Sequence, residues 1–218
     1  HTLSLRAGRF TPEYGIAVPD HIWVTRNGLG FGPNWETYNA ELRYEGKWGS
    51  ASVTGILGRP ERPSLQREQG FAADVRAFVN GGKVRPGFST YFGKLDGQPA
   101  SSSRWLFGPH FSWGPAKWCS LLMELDAIAH GDSTWGFAQT MKLDFEPVQG
   151  FHVYGLQEAS QTRLSPVDAG TRHGTGVGSN WFPFAHIELS LFAGMYLNGL
   201  TDARTWRPEG WAQIHLYF

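Results

Sequence analysis

Apolar and polar residues alternate along this chain in one strand-length stretch after another, and few folds tolerate that pattern. In HIELSLFAGMYLN, Ile187, Leu189, Leu191, Ala193, Met195 and Leu197 share one parity, and His186, Glu188, Ser190, Phe192, Tyr196 and Asn198 share the other. A period of two places the sets on opposite faces of a β-strand. Cys119, Leu121, Met123, Leu125 and Ala127 likewise oppose Ser120, Glu124 and Asp126, while Met141, Leu143 and Phe145 oppose Thr140, Lys142, Asp144 and Glu146. Leu42 and its neighbours oppose Glu41 and Arg43, and Val75 opposes Asp74 and Arg76. Charges sit in mid-strand, flanked by hydrophobic residues, throughout the chain.

The pattern divides the 218 residues into about twelve strands: 2–10, 36–45, 49–58, 70–80, 84–94, 103–114, 118–129, 134–146, 151–162, 173–182, 186–198 and 209–218. Short turns alternate with longer loops at 11–35, 59–69, 95–102, 163–172 and 199–208, with the compact HGDST turn between strands seven and eight. This predicts an all-β chain, residues 1–218 forming one transmembrane antiparallel up-and-down barrel. An even strand number puts both ends on the short-turn side, so strand 209–218 is expected to pair with strand 2–10. Tyr44, Trp48, Trp113, Trp118, Phe145, Phe151, Trp181, Phe182, Phe184 and Phe218 fall near the short-turn ends. Trp35, Tyr38, Phe71, Phe92, Trp105, Trp135, Phe137 and Trp206 fall near the long-loop ends. Two such rings are what interfacial aromatic girdles look like.

Alternation alone does not tell inside from outside. A β-sandwich or a lipocalin-like barrel alternates too, with its charged face in water. Strand number, loop asymmetry and the terminal Phe218 favour the bacterial outer membrane. Charged residues are only 17% and cancel to zero, which excludes a nucleic-acid footprint. No apolar run is long enough for a membrane helix. The single Cys119 permits no intramolecular disulfide. His1 takes the place of an initiator Met, so any secretory leader is expected to have been removed.

The stretch LSLRAGRFTPEYGI resembles an early strand and loop of porins of the phosphate-selective class, through Gly8, Arg9 and Phe10, then Pro12, Tyr14 and Gly15, with Glu13 as an added residue. TRNGLGFG further on has the same character, and the last strand resembles the C-terminal assembly signal of outer-membrane barrels, with Phe218 preceded by Leu216, Ile214 and Ala212. The resemblance implies an outer-membrane, pore-like barrel.

If the apolar faces meet lipid, the charged residues line a lumen. The first five strands supply Arg6, Arg43, Arg76 and Arg85 against Glu41 and Asp74; the later strands supply Glu124, Asp126, Asp144 and Glu188 against Lys142. A basic wall facing an acidic one orients hydrated solutes in a constriction. Loop 11–35, which carries Ile22, Trp23, Val24, Leu29 and Phe31, is expected to fold inward and narrow the lumen. Three readings follow: a channel for small hydrophilic solutes or ions, a charge-plugged barrel with a structural or interaction role, and an outer-membrane phospholipase-like hydrolase using His110 and Ser112 of HFSWG. Catalysis is not the expectation. The other histidines have no metal-ligand spacing, and no cofactor motif occurs. The expected partners are outer-membrane lipids, with a protein partner or a second copy of the chain possible. Pro109 in mid-strand and the glycine-rich GTGVGSN segment are the two places where the pattern resists a strand.

Overall fold

The computed structural model describes residues 1–16, 23–31, 35–63, 67–161, 163–164, 171–199 (the backbone only at 198 and 199) and 205–216. Twelve strands form one sheet: β1 (Thr2–Phe10), β2 (Thr37–Gly46), β3 (Gly49–Gly58), β4 (Glu68–Ala77), β5 (Val84–Leu95), β6 (Ser103–Ala116), β7 (Cys119–His130), β8 (Trp135–Val148), β9 (Phe151–Gln161), β10 (Thr171–Phe184), β11 (Ile187–Gly199) and β12 (Thr205–Leu216). Each is antiparallel to the next, in sequence order. The expected terminal residue Phe218, Tyr217 beside it and Ile22 of the first loop lie outside the described residues.

Two boundaries move noticeably from the sequence expectation. β4 starts at Glu68 and ends at Ala77, because a tight turn at Asn80–Gly82 and the lone bridge Val79↔Val84 close the hairpin early. β12 begins at Thr205 rather than 209, since Trp206, Arg207 and Pro208 pair with Leu197, Tyr196 and Met195. Pro109 sits inside β6 without a bulge: the β6–β7 ladder passes from Phe107↔Ala127 to His110↔Glu124 in unchanged register, with no pair at Gly108 or Pro109. The GTGVGSN segment is continuous strand as well. Its inward Gly174, Gly176 and Gly178 lie flat beneath the rings of Tyr196, Phe192 and Tyr154, where any Cβ would collide.

The direct pairing expected between the first and last strands is absent among the described residues. The order ends at β1 and β12, each with one partner. Every residue from Thr2 to Arg9 is exposed, because no described part of the first loop packs inside β1 to draw the two edges together.

Polarity in this sheet is inverted relative to a soluble core. Glu41, Asp74, Glu124, Asp126 and Glu158 are buried on the concave face, while Leu5 (77% exposed), Leu191 (56%) and Ile214 (67%) face outward. Exposed aromatics collect at both strand ends, with Trp48, Trp118 and Phe184 at the short turns and Trp35, Trp135 and Trp206 at the long loops. No helix among the described residues is long and apolar enough to cross a membrane.

Candidate functional site

The described parts of the first loop, residues 11–16 and 23–31, run across the concave face as an internal strap. Tyr14, Trp23 and Leu29 are each at most 2% exposed. Trp23 begins a single wide helical turn, Val24–Gly28, closed by an i→i+5 bond from Phe31 N–H to Arg26 C=O (2.7 Å). A peptide segment laid against a sheet face exposes N–H groups that the ladders do not satisfy, so the wall must supply acceptors.

It does so with carboxylates. Ile16 N–H donates to Glu124 Oε2 (2.7 Å), the Tyr14 hydroxyl donates to Asp126 Oδ1 (2.7 Å), and Val24 N–H donates to Glu158 Oε1 (2.8 Å). Tyr196 O–H also donates to Glu158 (3.2 Å), and Thr25 meets Thr140 (3.2 Å). Register explains the convergence: His110 pairs with Glu124, Glu124 with Thr140, Thr140 with Glu158, and Glu158 with Gly174, giving one polar row across β6 to β10. Gly15, at φ +58, rests against the Glu124 carboxylate where no Cβ would fit. Arg26, whose charge burial disfavours, donates to the Tyr14 carbonyl (2.6 Å). Burial, then the neighbouring Asp126, keeps the Tyr14 phenol protonated well above its ordinary range.

The basic residues of the early strands grip the strap from the other side. Glu13 bridges Arg43 and Arg76 (3.1 Å each), and Arg76 also donates to Gly15 C=O (2.9 Å) and pairs with Asp74 (2.8 Å). Arg6 pairs with Glu41 (3.1 Å), which accepts from Thr54 (3.0 Å). Arg85 turns back to Gly82 C=O (2.9 Å) at the short-turn mouth. Lys142 lies over the Trp23 and Tyr154 rings, Asp144 meets His152 (2.8 Å), and Glu188 meets Ser190 (2.7 Å) and His215 (3.2 Å). The segregated charges are therefore joined through the strap and through near neighbours rather than left facing each other across open water.

Two apolar clusters finish the strap. Tyr14 stacks on Phe31 (4.6 Å), Phe31 meets Tyr91 edge-on (5.3 Å), and Ile56, Leu106 and Ile128 close around them. Trp23 packs with Tyr154, Leu156, Phe192 and Tyr196. A cavity of about 720 Å³ lies at the long-loop end and another of about 510 Å³ at the short-turn end. The second is lined by Ile16, Arg76, Lys83, Arg85, His110 and Ser112, among others.

Glu158, Glu13 and the Arg104–Glu68 pair (2.7 Å) belong to this site and escaped the sequence reading. Glu158 shares its inward parity with Tyr154 and Leu156, so its strand shows no clean polar face. His110 is buried, with Nε2 at 2.9 Å from Asp74 Oδ2, and no hydrogen bond among the described residues joins it to Ser112. No group of three or more His, Cys, Asp or Glu side chains among the described residues is arranged to hold a metal ion.

No known protein family, curated protein or solved structure matches this chain.

Proposed function

We propose that this chain is the wall and constriction of a bacterial outer-membrane β-barrel that passes small hydrophilic solutes or ions through a charged lumen. The inverted polarity of the sheet carries the reading. A continuous outward face of Leu5, Leu191, Ile214 and their neighbours calls for an apolar solvent, and the exposed aromatics at both strand ends suit its two interfaces. Unpaired strand edges are costly in lipid, so the wall closes across the β1–β12 seam. Outer-membrane lipids are then the chain's immediate partners. The strap covers the β4–β9 side, and solutes follow the wetter side lined by Arg6, Gln213 and His215.

The charge-plugged reading has its own support in the burial of Tyr14, Trp23 and Leu29 and in the pairing of nearly every inward charge. The hydrolase reading has the His110–Asp74 pair but no bond from His110 to a nucleophile. Planar-bilayer recordings of the refolded chain separate channel from plug. In a channel, deleting residues 20–32 raises conductance. Neutralising Arg43 and Arg76 strips two cations and uncovers Glu13, shifting selectivity toward cations, and the shift shrinks in molar salt as screening shortens below about 8 Å. A folded barrel that stays closed even after the deletion is a plug, and the channel proposal fails.

A further inference from the structure

Resting on that channel reading, the cavity at the long-loop end adds a substrate class. Its floor is the top of the strap, Phe31 beside Tyr91, and Trp35, Leu95 and Pro12 add apolar wall. The rest of the lining is strongly cationic: Arg59, Arg62, Arg104, Arg163 and His130 stand against a single lining carboxylate, Glu68. That carboxylate is already engaged, by Arg104 Nε (2.7 Å), Arg104 Nη2 (2.8 Å) and the Tyr91 hydroxyl (2.8 Å). Arg104 also donates to Leu29 C=O (2.7 Å) and lies over the Tyr91 ring, so floor and wall are one fixed assembly. Glu61 and Asp132, which pair with Arg59 (3.3 Å) and Arg163 (2.6 Å), are not lining residues. Those two pairs orient guanidinium groups around the mouth without placing a carboxylate inside it.

A site with aromatic surface on one side and a surplus of guanidinium on the other suits a solute with both characters. At about 720 Å³ it lies within the usual 300–1,000 Å³ range of small-molecule sites. Guanidinium groups grip a carboxylate through planar paired bonds, and aromatic rings gain from a flat apolar body. Bare inorganic anions make no use of Phe31, Tyr91 or Trp35. We infer that the outer cavity is a selection site for small organic carboxylates with a flat apolar body, aromatic acids being the simplest case, captured above the strap before passage.

Calorimetry on the refolded chain in detergent tests this, with benzoate, acetate and inorganic phosphate as probes and conductance measured on the same preparation. Benzoate should bind saturably and at least about ten-fold more tightly than acetate, the margin expected from burying a ring. Phosphate should compete poorly. Trp35→Leu should reduce benzoate affinity without changing acetate affinity, and Arg62→Gln combined with Arg163→Gln should weaken both carboxylates by about ten-fold or more. Phosphate binding as tightly as benzoate would make this a plain anion site and overturn the inference. So would benzoate binding that ignores all three substitutions, or no benzoate binding at all. Binding without conductance would sink the channel reading and spare the site; conductance without binding would do the reverse.

Discussion

The wall from β4 to β9 and the wall made by β12 and β1 are written in the same two-residue repeat, yet their inner faces meet different surroundings. On the first, Asp74, Glu124, Asp126 and Glu158 are each at most 4% exposed, because a strap of backbone N–H groups, hydroxyls and rings lies over them. On the second, the Arg6 side chain is 54% exposed and that of His215 is 42%. The outer faces are alike, with Leu125 at 50% and Leu5 at 77%. Alternation thus decides which way a side chain points, and a distant segment decides whether it meets water. The covered arc trades water for strap contacts, which makes it the rigid half and the one that narrows the lumen.

The largest effect should separate two glycines of left-handed or unusual φ, one in each arc. Gly15 (φ +58) rests against the Glu124 carboxylate, whereas a Cβ on Gly8 (φ +143) meets nothing within 4 Å. Gly15→Ala should destabilise the strapped state by about 3–5 kcal/mol, combining backbone strain with a displaced charge-assisted bond. Gly8→Ala should show strain alone, about 1–2 kcal/mol. Denaturant unfolding read by Trp fluorescence measures both. Equal losses would mean that the strap is not seated on Glu124.

Next in size comes the outer face, where the arcs should not differ. Leu143→Arg in the covered arc and Leu191→Arg on β11 should each cost about 2–4 kcal/mol in a bilayer-embedded barrel. Gln213→Arg, inward and exposed on β12, should cost far less. Unfolding titrations in lipid vesicles give the three values, and a penalty at Gln213 matching the other two would remove the distinction between outer and inner faces.

Tyr14→Phe keeps the stack on Phe31 and removes the bond to Asp126, whose Oδ2 already lacks a partner, so the loss should be about 1–3 kcal/mol. The phenol's raised value in the fold gives the sign of the pH effect. Its contribution is complete below the ordinary tyrosine range, about pH 10, and is lost only as pH rises through the elevated folded value. The strap should therefore hold at pH 10 and loosen in stronger alkali. Tyrosinate absorbance compared between wild type and Tyr14→Phe checks this; identical titrations up to full unfolding would contradict it.

Much of this comparison was legible before any coordinates, and its limits have physical reasons. Ile187 to Leu197 and Cys119 to Ala127 alternate so cleanly that strand, face and register leave little choice, since a one-residue slip would invert every charge. The inward fold of the first loop was readable from Trp23, Leu29 and Phe31, too apolar for an exposed connection. Its seating was not, because the bonds to Glu124 and Glu158 join residues 108 and 134 positions apart. Glu158 itself was hidden by inward Tyr154 and Leu156, which serve the strap and spoil the pattern. The unpaired β1 and β12 edges were equally invisible, since strand parity permits closure without compelling it.

The smallest expected effect probes how far the rigidity of the covered arc reaches. At its long-loop end, the Thr134 hydroxyl (2.6 Å), the Arg163 guanidinium (2.6 Å) and Thr134 N–H (3.2 Å) hold the Asp132 carboxyl far below the usual carboxylate range, the Thr134 hydroxyl contributing most. A depressed folded value means that the contact's contribution is present above the ordinary Asp value, about pH 4, and lost only as pH falls through the lowered one. Asp132 is fully exposed, so global unfolding should barely register the contact. Its carboxyl carbon resonance should stay flat from neutral pH down past pH 4 and move only in stronger acid. Arg163→Gln should bring the transition part of the way back toward pH 4 while leaving the unfolding midpoint unchanged. An Asp132 that titrates at its ordinary value in the wild type would show that this end of the covered arc is as loose as the bare arc. Order in the wall would then come from the strap alone and stop where the strap stops.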